Sequence, residues 1–173
     1  ELPLPEDAKV LDLGTGSGAI ILALSRERRS WVYTGTEIQR DALIIAEVNR
    51  ASYQLNNVNL LYGDWYKAVP NQKYHLIVSN PPYVANGDPH LLDLNLHFEP
   101  KSALISGKDG MSDLKHVICK APQYLLNKGW MVTEHGSEQG PKVRNLYYSV
   151  GFRDVETCTD LSGLDRVTLG RMP

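Results

Sequence analysis

One tetrad in this chain brings together residue types whose combination has chemical consequences: Asn80-Pro81-Pro82-Tyr83, which follows an apolar run ending in Ser79. Consecutive prolines fix two φ angles at about −65° and restrict the residue before each, so the corner is stiff. A stiff corner presents its groups in set directions. The side-chain carbonyl of Asn80 and the peptide carbonyl of Asn80 or Pro81 can together accept both hydrogens of a planar NH2 group, and Tyr83 offers a face beside it. Asn80, Pro81, Pro82 and Tyr83 are therefore the candidate reaction-centre residues.

Three further clusters stand upstream. Asp12-Leu13 leads into Gly14-Thr15-Gly16-Ser17-Gly18. Glycines let a backbone pass close beneath a ligand, because no Cβ intervenes and positive φ is cheap. A tight strand-to-helix connection would use the same residues. The spacing is G-x-G-x-G, not the G-x-G-x-x-G of dinucleotide binders, and no phosphate-cradling lysine accompanies it. It resembles the first motif of class I methyltransferases, in which the loop lies against the methionine part of the cofactor. Glu37 closes the next apolar run, where an acid accepts hydrogen bonds from ribose hydroxyls in nucleotide-type α/β folds; capping of the following helix is the alternative. Asp64-Trp65 follows Gly63. An acid beside an aromatic suits adenine, one accepting from the exocyclic amine and the other packing on the ring, whereas plain core packing would also explain Trp65.

The elements that must position these residues are legible in the hydrophobic pattern. Short β-like runs occur at 10–13, 31–36, 58–62 and 74–79, with helices predicted at 19–27 and 41–53, the latter with Ala42, Ile45, Ala46 and Asn49 on one face. A helix is expected from Met111 to Asn127, closed by Lys128-Gly129, and then a strand at 130–134. Another helix spans 140–150, and Gly151 ends it. The runs at 152–157 and 166–170 have no helix between them and should pair as a hairpin. This alternation predicts an α/β fold: a doubly wound, mostly parallel seven-stranded sheet with helices on both faces and a C-terminal antiparallel strand pair. Ligands of such sheets sit beyond the C-terminal strand ends, near the switch point, and the four clusters follow the first four strands.

Bulk properties narrow the function classes. The 173 residues carry 42% hydrophobic and 22% charged residues and a net charge of −2, which is not the basic footprint of a protein that grips nucleic acid by its phosphates. The length suits one domain at 8–173, and the proline-rich residues 1–7 read as a linker to a missing N-terminal domain. No apolar run approaches a membrane span. The two cysteines, Cys119 and Cys158, form no CxxC and fit a reducing, cytoplasmic setting. Cys119 is expected on the inner face of its helix as a buried thiol. The five histidines show no spacing for a metal; His135 reads as structural, and the segment holding His90 and His97 as a substrate-facing lid. Glu99 reads as a local hydrogen-bonding anchor.

Taken together, Leu11-Asp12-Leu13-Gly14-Thr15-Gly16-Ser17-Gly18-Ala19-Ile20, the Asn-Pro-Pro-Tyr tetrad, Phe98-Glu99-Pro100 with Gly107 to Gly110, and Glu134-His135-Gly136 resemble the bacterial release factor glutamine methyltransferases, Rossmann-like class I enzymes. The resemblance runs over nearly the whole chain. It implies methyl transfer from S-adenosylmethionine, leaving S-adenosylhomocysteine, to the glutamine amide in the Gly-Gly-Gln loop of peptide chain release factors. It also implies that Gly14, Thr15, Gly16, Ser17, Gly18, Glu37 and Trp65 hold the cofactor. Asn80 would touch cofactor and substrate, with Pro81, Pro82 and Tyr83 framing the glutamine. Members carry a small N-terminal helical domain that helps dock the release factor, and Glu37 stands where many have aspartate. Three alternatives share part of this pattern: a glutamine methyltransferase acting on a ribosomal protein, an adenine-N6 nucleic-acid methyltransferase, and a non-catalytic cofactor sensor. The sensor would have little reason to keep the tetrad.

Overall fold

The structure is a computed structural model and describes residues 2–88 and 101–173. Seven strands form one sheet in the order β3-β2-β1-β4-β5-β7-β6. They are β1 (Lys9–Leu13), β2 (Val32–Glu37), β3 (Val58–Tyr62), β4 (Tyr74–Ser79), β5 (Leu125–Glu134), β6 (Arg153–Thr159) and β7 (Asp165–Arg171). The first five run parallel and β7 lies antiparallel between β5 and β6. Among the described residues five α-helices accompany them: α1 (Ala19–Glu27), α2 (Arg40–Ser52), α3 (Lys101–Leu104), α4 (Ser112–Lys120) and α5 (Gly140–Ser149). The chain winds outward from β1 through β2 to β3, then returns to place β4 on the other side of β1. The switch point therefore lies between β1 and β4, which is where a ligand crevice opens in such folds.

Alternation along the strands divides the interior into two layers. Leu11, Leu13, Ile77 and Met131 face one layer and pack with Leu114, Val117 and Ile118 of α4 and Val143 and Tyr147 of α5. Val10, Tyr33, Leu76, Val78 and Trp130 face the other, against Ile21 and Leu22 of α1 and Ala46 of α2. Helices thus cover both faces, as the doubly wound reading requires. Leu2 and Leu4 pack against the second layer.

Four expectations are corrected. The helix read as Met111 to Asn127 ends at Lys120, and Ala121–Gln123 form a 3-10 turn. Pro122 cannot donate an N–H and its ring collides with the preceding turn, so an α-helix does not run through it. The strand begins at Leu125, and the register shifts where β5 passes from Leu125, beside Tyr74, to Trp130, beside Leu76. Lys128, at φ 62°, and Gly129 make that kink rather than a helix end. On α2 the sheet-facing side chains are Leu43 and Ala46, while Ile45 is 51% exposed. Cys119 is exposed, one position away from the inward pair Val117 and Ile118.

Candidate active site

The glycine loop is built by main-chain pairing to β2. The Gly14 and Thr15 N–H groups both donate to the Thr36 carbonyl, at 2.9 and 3.0 Å. Gly14, Gly16 and Gly18 have φ of 70°, 57° and 86°, a region that side chains with a Cβ rarely enter. A Cβ on Gly16 would meet nothing within 4 Å, so the loop passes beneath open space at that point. The Thr15 hydroxyl donates to Asp12 Oδ2 at 2.7 Å under the loop. Asp12 is buried, its Oδ1 has no protein partner, and burial pushes its carboxyl up to about 6. A charged residue inside Val-Leu-Asp-Leu was the visible signal for this buried support. The Ser17 carbonyl is tied to α2 by the Asn49 side-chain amide at 3.0 Å.

Glu37 stands at the end of β2, largely buried, with one oxygen accepting from the Gly16 N–H at 2.8 Å and the other from the Gln39 N–H at 2.8 Å. Gln39 is the N-cap of α2, so capping and contact with the glycine loop are joined in one carboxylate. Each carboxylate oxygen keeps a second lone pair. Ile38, the next residue, is apolar and 54% exposed at this same rim. Sequence reasoning passed over it; its signal was an apolar residue just after a strand-ending acid.

Trp65 lies across the loop from β3. Its ring is the group that a Cβ on Gly14 would approach to 2.9 Å, and it reaches His116 of α4 at 6.5 Å between ring centroids. Its φ is 48°, uncommon for a bulky residue and the kind of local strain that clusters at functional sites. Part of the ring also packs on the first core layer, so the packing and the site readings both hold something of it. Asp64 is half-buried and paired with Lys67.

The tetrad follows β4 on the other side of the switch point. Leu13 and Ser79 are neighbours in register, and the Ser79 hydroxyl donates to the Leu13 carbonyl at 2.8 Å, joining the two strand ends that carry the glycine loop and the proline corner. Asn80 is exposed, Pro81 is buried, and Pro82 and Tyr83 are half-buried. The Tyr83 hydroxyl donates to Glu134 Oε1 at 3.0 Å, and its carbonyl accepts from Gln139 Nε2 at 3.0 Å. Burial and the neighbouring Glu134 push the Tyr83 hydroxyl up, so it remains a donor. Val84 exchanges main-chain bonds with Leu104 and Ser106, and Asn86 donates to Gly107. The lid reading and the assignments to His90, His97, Phe98, Glu99 and Pro100 fall outside the described residues.

His135 is fully buried between the Gly136 carbonyl and the Thr168 hydroxyl, at 2.9 and 2.8 Å, as a structural residue would be. Among the described residues no group of three His, Cys, Asp or Glu side chains could hold a metal ion.

A mostly parallel sheet with a glycine loop and a proline corner flanking its switch point defines a Rossmann-like methyltransferase fold. The chain belongs to the methyltransferase small domain family, whose model matches residues 1–97. It is 48% identical over 167 residues to a release factor glutamine methyltransferase of Xylella fastidiosa, with 96% of this chain and 61% of that protein covered. A release factor glutamine methyltransferase of Escherichia coli is 41% identical over 169 residues, covering 97% of this chain and 61% of that one. The chain thus spans about three fifths of the length of these curated relatives. Among solved structures, a methyltransferase from Pyrococcus furiosus superposes with a TM-score of 0.72 at 16% identity, covering 95% of this chain and 75% of that one, which bears on the fold.

Proposed function

We propose that this chain is the catalytic domain of a protein-(glutamine-N5) methyltransferase whose substrate is the Gly-Gly-Gln loop of peptide chain release factors. The observation that carries the reading is the Asn80-Pro81-Pro82-Tyr83 corner, joined through Ser79 and Leu13 to the end of β1 with the Asn80 side chain exposed. The names of the relatives at 41% to 48% identity support the choice of substrate. The same reading takes residues 8–173 as the catalytic unit, residues 1–7 as a linker, and the cytoplasm as the setting.

The donor is S-adenosylmethionine, which when bound supplies a methyl group already activated by its sulfonium. Gly14, Thr15, Gly16, Ser17 and Gly18 would bed its methionine part in the open space above Gly16. Glu37 would accept from the ribose hydroxyls with its remaining lone pairs. Asp64 and Trp65, with Ile38 facing the same rim, would hold the adenine.

An amide nitrogen is a poor nucleophile because its lone pair is delocalised into the carbonyl. Asn80 and the adjoining main-chain carbonyl would accept both N–H bonds of the glutamine amide and favour a pyramidal nitrogen, its lone pair directed toward the glycine loop. Tyr83 and the prolines would fix the amide plane. Positioning of this kind can lower a barrier by roughly 7–11 kcal/mol. The test is mass spectrometry of a release factor incubated with the full-length enzyme and isotopically labelled donor. One labelled methyl on the glutamine is expected; label on a ribosomal protein alone, or on nucleic acid alone, overturns the choice of substrate.

A further inference from the structure

The proline corner poses a mechanical problem that the fold answers in one place. Pro81 and Pro82 have no N–H, so no main-chain donor can pin the corner at either residue. Its carbonyls must also stay free if they are to receive an amide. The hydrogen bonds that hold the corner lie at its two ends. At the near end Ser79 is tied to Leu13. At the far end Tyr83 is held twice, by the end of β5 and by the turn that leads from it into α5.

The second attachment is specific in its geometry. Gln139 Nε2 donates to the Tyr83 carbonyl at 3.0 Å, while Gln139 Oε1 accepts from the Gly136 N–H at 2.8 Å. Reversing the amide would set acceptor against acceptor and donor against donor, so its orientation is determined. Gly110, at φ 69°, makes room: a Cβ there would collide with both the Tyr83 carbonyl and the Gln139 amide. Glu134 takes the Tyr83 hydroxyl at 3.0 Å. One strand further along the sheet, Arg166 on β7 donates to the His135 carbonyl at 3.2 Å and steadies the same turn.

We propose that Gln139 and Glu134 are positioning residues of the reaction centre, a two-point clamp on Tyr83 that sets the direction in which the Asn80-Pro81 carbonyls point. The inference rests on reading the corner as the site of methyl transfer. It assigns Gln139 and Glu134 no contact with either substrate.

The experiment uses the full-length enzyme and three readouts: kcat with a release factor, donor affinity by calorimetry, and amide hydrogen exchange at Val84. The Val84 N–H is bonded to the Leu104 carbonyl just beyond the clamp. Gln139→Ala should accelerate exchange at Val84 and lower kcat about a hundredfold, the scale of a misplacement of about 1 Å. Donor affinity and exchange in α1 should stay near wild type. Glu134→Ala should lower kcat, and Glu134→Gln, which keeps an acceptor for the Tyr83 hydroxyl, should recover most of that loss. Tyr83→Phe, which deletes one atom, should match Glu134→Ala even if the alanine variants fold poorly. Unchanged exchange at Val84 in Gln139→Ala overturns the clamp, as does a parallel loss of kcat and donor affinity, or no rescue by glutamine. If the wild type transfers no methyl to a release factor while Val84 still responds, the substrate reading fails and the clamp stands.

Discussion

Asn80 and Gly14 illustrate how differently two residues of one site can matter. Asn80 is exposed, so Asn80→Ala should change stability by no more than about 0.5 kcal/mol. If it receives the amide, turnover should fall about a hundredfold or more, the scale seen when one preorganised hydrogen-bonding group is removed. Label transfer and calorimetry check the pair of values, and equal loss of turnover and donor affinity would contradict the assigned role. Gly14 is the opposite case. Alanine there meets the Trp65 ring at 2.9 Å and sits at φ 70°, a conformation costing roughly 1–2 kcal/mol per residue with a Cβ. Gly14→Ala should lower Tm by a few degrees and shift the tryptophan fluorescence as Trp65 moves. At this scale the sequence was most readable, because glycine, proline and a strand-ending acid each carry a local conformational or chemical meaning. It was least readable at Gln139, whose partners lie 3 and 56 positions away in the chain.

Among the elements, α2 and β5 separate what periodicity can decide from what it cannot. An apolar stripe on α2 was visible, but Ile44, Ile45 and Val48 are apolar and exposed, so the inward direction was ambiguous by about one residue. Contact settles it: Ala46 is fully buried, and its Cβ would lie 3.5 Å from a Cβ on Gly18 at the start of α1. Accordingly Ile45→Lys should alter stability by within about 0.5 kcal/mol, whereas Ala46→Leu should cost about 1–3 kcal/mol by overpacking. Chemical denaturation of Ile45→Lys distinguishes the structure from the periodic reading, which sets Ile45 on the same face as Ala46 and so expects both variants to be damaging. For β5, the helical spacing of Leu125 and Leu126 continued past Pro122 and drew the predicted helix too far. Pairing with Tyr74 of β4 made Leu125 a strand residue, a contact across 51 positions that a local window does not contain.

The molecule as a whole should show a pH dependence to which one buried carboxyl contributes. Burial raises Asp12 from 3.8 to about 6, so between these values the folded state holds a proton that the unfolded state releases. The stability this contributes is fully present below about pH 4, is lost as the pH rises through 6, and does not fall further above it. Burial lowers His135, whose contribution runs the other way: present above the ordinary histidine range and lost as the pH falls through it. Comparing wild type with Asp12→Asn isolates the carboxyl. The variant keeps an acceptor for the Thr15 hydroxyl and no charge, and it should be more stable at pH 8 by an amount on the order of 3 kcal/mol, with the difference vanishing near pH 4. Denaturant titrations at the two pH values measure it, and a difference that did not change between them would rule out Asp12 as the cause.

Strand alternation, the glycine loop, the acid at Glu37 and the stiff Asn-Pro-Pro-Tyr corner were determined by the sequence alone, because each is a statement about neighbours a few bonds apart. Tertiary structure decided what joins them. It set β1 against β4 so that Ser79 meets Leu13, gave Glu37 the Gly16 N–H as a partner, and brought the turn after β5 up to Tyr83. These are hydrogen bonds between groups that only the closing of the sheet brings within 3 Å, and no local pattern encodes a distance of that kind.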